Sequence, residues 1–234
     1  MSLPSLSAFF PAHNEAGNIA ALMEKTRRVL MECGFQDFEI IIVNDGSADG
    51  TREIADDLAA KYPEVRAVHH EVNKGYGAAV WTGIRSCTKE YIFFTDGDAQ
   101  FDVSEIRNFV PHMTECDALL GYRIKRADPF HRKLFAFGWG KIVIGPLLGI
   151  WLKDLDCAFK MFRRDLFNGM KPDAGGAMVT AEIIAKLKKR GFKYKEIGVH
   201  HYPRKVGVQS GGSPKVVLRA FRELLRLRKR LSRQ

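Results

Sequence analysis

The segment YIFFTDGDAQ (residues 91–100) decides the fold class, because a short apolar run ends abruptly in acidic residues. Its first half, Tyr91–Thr95, carries no charge and is typical of a strand buried on both faces of a sheet. Two similar segments precede it: SLSAFF (5–10) leads into PAHNE, and FEIIIV (38–43) leads into NDGS. In open α/β sheets ligands bind at the carboxyl ends of the strands, so we expect these three polar ends to share one edge.

Helix-like segments alternate with the strand-like ones, and this alternation predicts a largely parallel sheet covered by helices. The further predicted strands span residues 65–70, 118–121, 158–163 and 193–200. The predicted helices span residues 15–33, 51–61, 75–87, 103–114, 179–190 and 214–231. The fold class is therefore α/β. Because no repeat or low-complexity linker interrupts the chain, residues 1–212 are expected to form one domain, followed by a basic amphipathic helix at 213–234.

The Asp96-Gly97-Asp98 triplet is the sharpest candidate for a metal site. In an extended segment, residues i and i+2 project to the same side, so the two carboxylates can converge on one cation. Carboxylate oxygens suit Mg²⁺ or Mn²⁺, which keep positions open for water and phosphate. Such a cation stabilises a departing phosphate group, and Gly97 lets the backbone approach closely. The alternative is a polar turn after a buried strand.

Two more polar segments are candidates for contacts with a phosphorylated ligand. The turn that begins at Asp45 is typical of an Asx turn with a helix cap, and the Asp45 carboxylate could also accept a hydrogen bond from a nucleobase N–H. These two roles are compatible. NKGYGAA (73–79) opens a helix, so free N–H groups around Lys74 and Gly75 could face a phosphate. A tight turn that lets the helix pack on the sheet explains this segment equally well.

The charge balance is strongly basic, with a formal net charge of +10 and a pI of about 9.5, and it favours anionic partners. The excess is concentrated at residues 123–133 and 219–233. A nucleic-acid-binding module is disfavoured, because the chain lacks stacking aromatics and recognition motifs and its DGD cluster would repel phosphate without a metal. Four cysteines without CxxC spacing, and an N-terminus without a signal-peptide pattern, predict a cytoplasmic protein.

Two segments bear on membrane contact. Leu134–Leu152 approaches the length of a transmembrane span with Lys141 as its single charge, but its glycines and Pro146 favour a packed or interfacial segment. The predicted C-terminal helix places an apolar stripe amid arginines, formed by Val217, Phe221, Leu224, Leu225 and Leu231. This stripe suits an anionic membrane surface at the inner face of the membrane; packing on the domain is the alternative. A separate membrane-protein partner is a further option, since one helix rarely anchors firmly.

The order and spacing of the motifs resemble family 2 glycosyltransferases of the GT-A fold, similar to dolichyl- and polyprenyl-phosphate sugar synthases. The segments that carry the resemblance are PAHNE (11–15), VNDGSADGT (43–51), NKGYGAA (73–79), DGDAQ (96–100), GYR (121–123), DLDCAFKMF (154–162) and VHHYPRKVGVQS (199–210). The resemblance implies a Rossmann-like, mixed and mainly parallel sheet flanked by helices. It also implies an Mg²⁺- or Mn²⁺-dependent enzyme that moves a hexose from a GDP- or UDP-hexose to a polyprenyl phosphate.

The resemblance assigns roles to matching residues. Those predicted to hold the nucleotide-sugar are Pro11, Ala12, Asn14, Glu15, Asp45, Lys74, Gly75, Asp96, Gly97 and Asp98. The metal and diphosphate positions fall on Asp96, Asp98 and Gln100. The basic residues expected to face the acceptor phosphate are Arg123, Arg132 and Arg204. The candidate catalytic residues are Asp98, Arg123, Asp154, Asp156 and Lys160. Departures from the family pattern bear on the acceptor more than on the donor, and they are His13, Ala136, Ala158 and Gly211.

The nature of the acceptor decides whether a catalytic base is needed. A phosphate acceptor is largely anionic near neutral pH, with a second pKa of about 6, so a single inverting displacement needs little general-base help. If the acceptor is a glycan hydroxyl of the cell envelope, Asp154 or Asp156 is the candidate base, although Asp156 could equally pair with a nearby cation. Sugar nucleotidyl transfer is a rival class, and it is disfavoured because no Gly-rich, lysine-containing loop follows the first strand.

Overall fold

The computed structural model of the protein describes residues 3–124, 143–171, 176, 178–204 and 214–231, with side chains of the last helix described from Phe221 to Arg230. Within these residues the strands are β1 (Leu6–Ala12), β2 (Phe38–Asp45), β3 (Val65–His70), β4 (Tyr91–Phe94), β5 (Ala118–Arg123), β6 (Lys160–Arg163) and β7 (Tyr194–Val199). The helices are α1 (Ile19–Glu32), α2 (Thr51–Lys61), α3 (Tyr76–Ser86), α4 (Gly145–Leu148), α5 (Val179–Lys189) and α6 (Pro214–Leu231). Short 3₁₀ helices span Val103–Asn108, Val110–His112 and Arg164–Phe167.

The strands form one seven-stranded sheet in the order β3-β2-β1-β4-β6-β5-β7. Strands β1 to β4 pair in parallel, and β5 pairs in parallel with β7. Strand β6 is antiparallel to both of its neighbours, β4 and β5. The predicted α/β class with a mixed, mainly parallel sheet is therefore confirmed, and the carboxyl ends of six strands face the same edge.

The core lies on both sides of the central strands, as their apolar runs predict. Every residue of β1 and β4 is buried, and the rings of Phe9 and Phe94 stack on neighbouring strands with centroids 5.2 Å apart. Helix α3 packs closely on this layer, since a Cβ added to Gly83 would lie 2.2 Å from the Phe9 ring. The small residues of NKGYGAA and its continuation thus bring α3 against the sheet.

The predicted helix at 103–114 is wrong, because the chain forms two 3₁₀ helices there. Pro111 interrupts the segment, since proline lacks the N–H that a continuous helix requires. The Asp102 side chain accepts the Ser104 N–H at 2.9 Å and fixes the start of the first 3₁₀ helix. Burial acts to raise the pKa of Asp102, but the Lys25 ammonium and the Ser104 donors outweigh it and lower that pKa to about 2.

The structure describes only part of the two segments for which membrane contact was predicted, residues 134–152 and the C-terminal helix. None of the helices in the described part of the chain is both long and apolar enough to span a bilayer. Of Leu134–Leu152, the portion up to residue 142 lies outside the described residues, and the rest contains the short helix α4. In α6, Leu224 and Leu227 are buried, whereas Phe221 and Leu225 are 40% and 47% exposed. The helix therefore packs on the domain and still presents apolar side chains to solvent, so the membrane contact stays a prediction.

Candidate functional site

The turns after β1 and β2 form one continuous surface through hydrogen bonds between them. The Asn14 N–H donates to Ser47 Oγ at 2.9 Å, and Asn14 Oδ1 accepts the Ala48 N–H at 2.8 Å. The Glu15 N–H donates to Thr51 Oγ1 at 2.9 Å. Asn14 has a φ of 57°, a left-handed conformation that asparagine tolerates better than most residues. PAHNE and NDGS therefore act as a single structural unit at the edge of the sheet.

The Asp45 carboxylate anchors the loop before α3. Its Oδ1 accepts the Lys74 N–H at 2.8 Å and lies 2.6 Å from His70 Nδ1, and its Oδ2 accepts the Gly75 N–H at 2.9 Å. The residue is 3% exposed. Because a carboxylate has about four acceptor positions, these three bonds leave one for a ligand. The nucleobase contact of Asp45 stays a prediction. Its bonds to the Lys74 and Gly75 N–H groups show that it also positions the loop before α3.

Gly46 allows the β2 turn and the Val72–Lys74 loop to lie against each other. It has a φ of 60°, and an added Cβ would lie 2.4 Å from both Asn73 N and Val72 C. These are backbone atoms, so the loop itself would have to move.

We expect Gly46→Ala to destabilise the protein by about 2–4 kcal/mol, because left-handed strain and backbone overlap add. Gly191→Ala is the matched control: Gly191 has a φ of 71° with nothing within 4 Å of an added Cβ. Strain alone gives that control a cost of about 1–2 kcal/mol. Urea unfolding of both variants measures the difference, and equal losses would contradict a close packing of the two loops.

The acidic triplet lies directly beyond β4, as predicted. Gly97 donates its N–H to the Pro11 carbonyl at 3.2 Å, so the triplet lies against the end of β1. The Tyr76 hydroxyl donates to Asp96 Oδ1 at 2.8 Å. Burial raises the pKa of Asp96, and the neighbouring Asp98 carboxylate raises it further. Burial likewise raises the pKa of Asp98.

These two carboxylates fit a divalent cation by the chemistry of their donor set. Two neighbouring ionised carboxylates in a partly buried place repel each other, and a cation between them removes that cost. Among the described residues, no third histidine, cysteine, aspartate or glutamate joins them in a group able to hold a metal ion. A pair of carboxylates completed by water and substrate phosphate is the arrangement that Mg²⁺ commonly uses. The predicted ligands Asp96 and Asp98 thus suit a cation that arrives with a phosphorylated substrate.

Arg204, beyond β7, connects the two acidic parts of the site. Its Nη2 donates to Glu15 Oε1 at 2.7 Å, and its Nη1 lies 3.7 Å from Asp98 Oδ2. Gln100 Nε2 donates to the Tyr202 carbonyl at 2.9 Å and holds the same segment in place. A metal contact of Gln100 therefore stays a prediction, while its amide group already links the DGDAQ turn to the chain beyond β7.

Arg123 and Asp154 form a largely buried ion pair at the end of β5. Arg123 Nε and Nη2 donate to Asp154 Oδ2 and Oδ1 at 2.6 and 2.8 Å, and the side chains are 9% and 11% exposed. Burial acts to lower the pKa of Arg123, but Asp154 raises it above its ordinary value. The guanidinium is therefore a fixed positive charge, and it also acts on Asp96.

Lys160 lies beneath the site, at the first position of β6. Its ammonium is buried and donates to the carbonyls of Leu155, at 3.1 Å, and of Cys157. Burial lowers the pKa of Lys160. The side chain thus holds the loop that carries Asp154 and the exposed Asp156, and its catalytic role stays a prediction.

The structure brings the predicted residues together at one edge, apart from Arg132, which lies outside the described residues. Pro11, Ala12, Glu15 and Asp98 meet around the end of β1, and Lys74 and Gly75 reach them through Asp45. Two contributors were not predicted from sequence. Tyr76 lies inside the NKGYGAA motif, in which only Lys74 and Gly75 were candidates, and His70 ends the predicted strand at 65–70, to which no function was assigned.

Comparisons with known proteins show which curated proteins this chain is similar to in sequence. The dolichyl-phosphate beta-glucosyltransferase of Trichomonas vaginalis is 28% identical over 83% of this chain and 64% of its own. The dodecaprenyl-phosphate galacturonate synthase of Rhizobium johnstonii is 27% identical over 95% of this chain and 65% of its own. The chain thus spans slightly less than two thirds of the length of these relatives.

The fold and the family follow from two further matches. The glucosyl-3-phosphoglycerate synthase of Mycobacterium tuberculosis, solved in complex with Mn²⁺ and UDP-glucose, superposes with a TM-score of 0.71 at 17% identity, covering 94% of this chain and 79% of that one. This likeness shows the fold, which is GT-A. The model of the family described as "Glycosyl transferase family 2" matches residues 7–170. This match covers most of the chain, including the acidic triplet and the Arg123–Asp154 pair, and the chain belongs to glycosyl transferase family 2.

Proposed function

We propose that this chain is a metal-dependent, inverting hexosyltransferase that uses a nucleoside-diphosphate sugar and glycosylates a polyprenyl phosphate. The observation that carries the proposal is the meeting of the Asp96–Asp98 pair, Arg204 and the Arg123–Asp154 pair at one sheet edge. An acidic pair suits a metal-bound diphosphate, and partly buried arginines suit a second phosphate. The names of the curated relatives, both of which refer to polyprenyl-type lipid phosphates, support the same acceptor.

At the donor end, the chain supplies a rigid frame. Asp45 holds the Lys74–Gly75 amides, and Asn14 holds the β2 turn, so the nucleoside would meet a surface that is already ordered. Asp96 and Asp98 would hold Mg²⁺ or Mn²⁺. When bound, the cation neutralises the charge that develops on the leaving diphosphate.

At the acceptor end, Arg123 is the group proposed to receive the lipid phosphate. Its bond to Asp154 uses two of the five guanidinium N–H groups, so three donors remain for an anion. We propose that Arg204 supplies a second positive charge for this phosphate and Arg132 a third. An acceptor oxygen that is already anionic attacks the anomeric carbon as the bond to the diphosphate breaks, and the configuration inverts.

The remaining part of the proposal concerns location. The exposed Phe221 and Leu225 of α6 lie beside a last turn that carries Arg228, Lys229 and Arg230. An apolar and cationic surface of this kind suits peripheral attachment to an anionic membrane, where a lipid acceptor resides.

A donor and acceptor screen tests the proposal. The purified chain would be incubated with Mn²⁺ or Mg²⁺ and UDP- or GDP-hexoses, with a short polyprenyl phosphate, 3-phosphoglycerate, a glycan or no acceptor. Metal-dependent nucleotide release that rises with the polyprenyl phosphate is expected. If nucleotide release rises only with 3-phosphoglycerate or only with the glycan, that compound and not the polyprenyl phosphate is the acceptor. If the chain binds no nucleotide-sugar, the donor assignment is overturned.

Asp156→Asn separates a phosphate acceptor from a hydroxyl acceptor. Asp154 has both oxygens bound to Arg123, so replacing it would also break that ion pair, whereas Asp156 is exposed and can be replaced without breaking the pair. With polyprenyl phosphate, we expect kcat to fall less than about ten-fold, because no proton has to be removed. A loss of about 10²-fold or more is the usual cost of removing a general base and would favour a hydroxyl acceptor. Single-turnover rates at saturating donor give the measurement.

A further inference from the structure

Tyr76 holds one of the two carboxylates of the acidic triplet. It is the first residue of α3, and its hydroxyl donates to Asp96 Oδ1 at 2.8 Å. The bond joins the start of a helix to the end of β4 and lies within the site, because the charges of Asp98 and Asp156 also act on this phenol. None of the motif assignments gives this side chain a role.

The hydroxyl restricts how the Asp96 carboxylate can turn. A donor bound to Oδ1 limits the rotation of the carboxylate and leaves Oδ2 with both of its acceptor positions. Asp98 is restricted in a similar way, since its Oδ1 accepts the Gln100 N–H at 3.1 Å. Outer partners of this kind orient metal ligands, and their removal typically costs about 10–100-fold in metal affinity or activity.

The position of Tyr76 depends in turn on Asp45. Gly75, immediately before Tyr76, has a φ of 94° and a ψ of 158°, a conformation largely confined to glycine. The Asp45 carboxylate fixes this turn through the N–H groups of Lys74 and Gly75. A continuous chain of contacts therefore runs from the end of β2, through the start of α3, to the carboxylate at the end of β4.

From this arrangement we propose that Tyr76 is a positioning residue, which orients Asp96 for a divalent cation and couples that cation to the loop held by Asp45. The inference rests on the proposed function for the presence of the cation, and it adds a residue that acts through Asp96. A preordered carboxylate binds the cation without the loss of rotational freedom that a free one would incur.

The test is Mn²⁺ affinity, measured by calorimetry and by the loss of the free Mn²⁺ electron paramagnetic resonance signal, with and without UDP. We expect Tyr76→Phe to raise the Mn²⁺ dissociation constant about 10–100-fold. At saturating Mn²⁺ the variant should regain kcat to within about three-fold, while the Mn²⁺ concentration for half-maximal activity shifts with the dissociation constant. If only the Mn²⁺ dissociation constant and the Mn²⁺ concentration for half-maximal activity change, the loss is one of metal positioning and not a general loss of structure.

Tyr62→Phe is the matched control, since the Tyr62 hydroxyl also donates to a carboxylate, Glu24 Oε1 at 3.2 Å, but on the surface. It should bind Mn²⁺ like the wild type. Tyr76→Leu also lacks the hydroxyl and is measured in parallel, so that a folding defect specific to Tyr76→Phe does not decide the result. Unchanged Mn²⁺ affinity in both folded Tyr76 variants, or an equal loss in Tyr62→Phe, overturns the inference.

The same data separate this inference from the proposed function. A wild-type chain that binds Mn²⁺ and UDP but transfers no sugar would refute the transferase proposal, and the effect of Tyr76→Phe on Mn²⁺ affinity would still support the positioning role. A wild-type chain that binds no Mn²⁺ even with UDP present would overturn the positioning role itself. In that case, turnover that depends on the lipid but needs no added metal would show that the chain is a metal-independent transferase.

Discussion

Replacing Asp98 with alanine is expected to lower kcat/KM at least about 10³-fold. The reason is that Asp96 and Asp98 are the two carboxylates proposed to hold the cation, and charge stabilisation by a metal supplies several kcal/mol at the transition state. Each 1.36 kcal/mol corresponds to about ten-fold in rate. Nucleotide release with a polyprenyl phosphate, at several Mn²⁺ concentrations, measures the effect. Raising Mn²⁺ should not restore the rate.

The stability of the same variant gives an independent check. Burial raises the pKa of Asp98, so its charged form is disfavoured in the metal-free fold. The metal-free Asp98→Ala protein should therefore unfold at the same temperature as the wild type or above it. Asp57→Ala, which removes an exposed carboxylate from α2, is the control and should keep full activity. Normal turnover by Asp98→Ala, or equal losses in both variants, would be incompatible with a metal role for the triplet.

The strands were predictable because their signal is local. Apolar runs such as FEIIIV are buried on both faces wherever a parallel sheet is covered by helices, and the polar ends of β1, β2 and β4 then meet without further information. The continuous helix predicted at 103–114 is wrong for an equally local reason, since Pro111 lies within the segment and it forms two 3₁₀ helices. The triplet and its neighbours could thus be placed at one edge from sequence alone.

The partners within the site were not predictable, because they depend on contacts between distant parts of the chain. Glu15 and Arg204 are 189 residues apart in sequence, and their bond exists only once β7 lies across the sheet from β1. Asp45 was expected to face a ligand, and most of its acceptor positions are filled by His70 and the loop before α3. Spacing identifies the residue types at a site, whereas folding decides which of them bind substrate and which hold one another.

The Arg123–Asp154 pair should show this distinction most clearly. We expect Asp154→Ala to destabilise the protein by about 3–5 kcal/mol, because it leaves the buried guanidinium without its carboxylate. Asp165→Ala breaks a comparable pair with Arg163 on the surface, where the side chains are 53% and 47% exposed. That loss should stay below about 1 kcal/mol, since water and salt screen exposed pairs. Urea unfolding of the two variants provides the comparison.

The double variant Arg123→Met/Asp154→Leu separates folding from function. Replacing both members of a buried pair with apolar side chains is often close to neutral, so its stability should return to within about 1 kcal/mol of the wild type. Its transfer to a polyprenyl phosphate should nevertheless be lost, because the Arg123 guanidinium that we propose receives the acceptor phosphate is gone, while Mn²⁺ and UDP still bind. A stable double variant with normal transfer would refute the acceptor role of Arg123. One that is stable and fails only with the phosphate acceptor would show that β5 ends in a charge retained for substrate rather than for the fold.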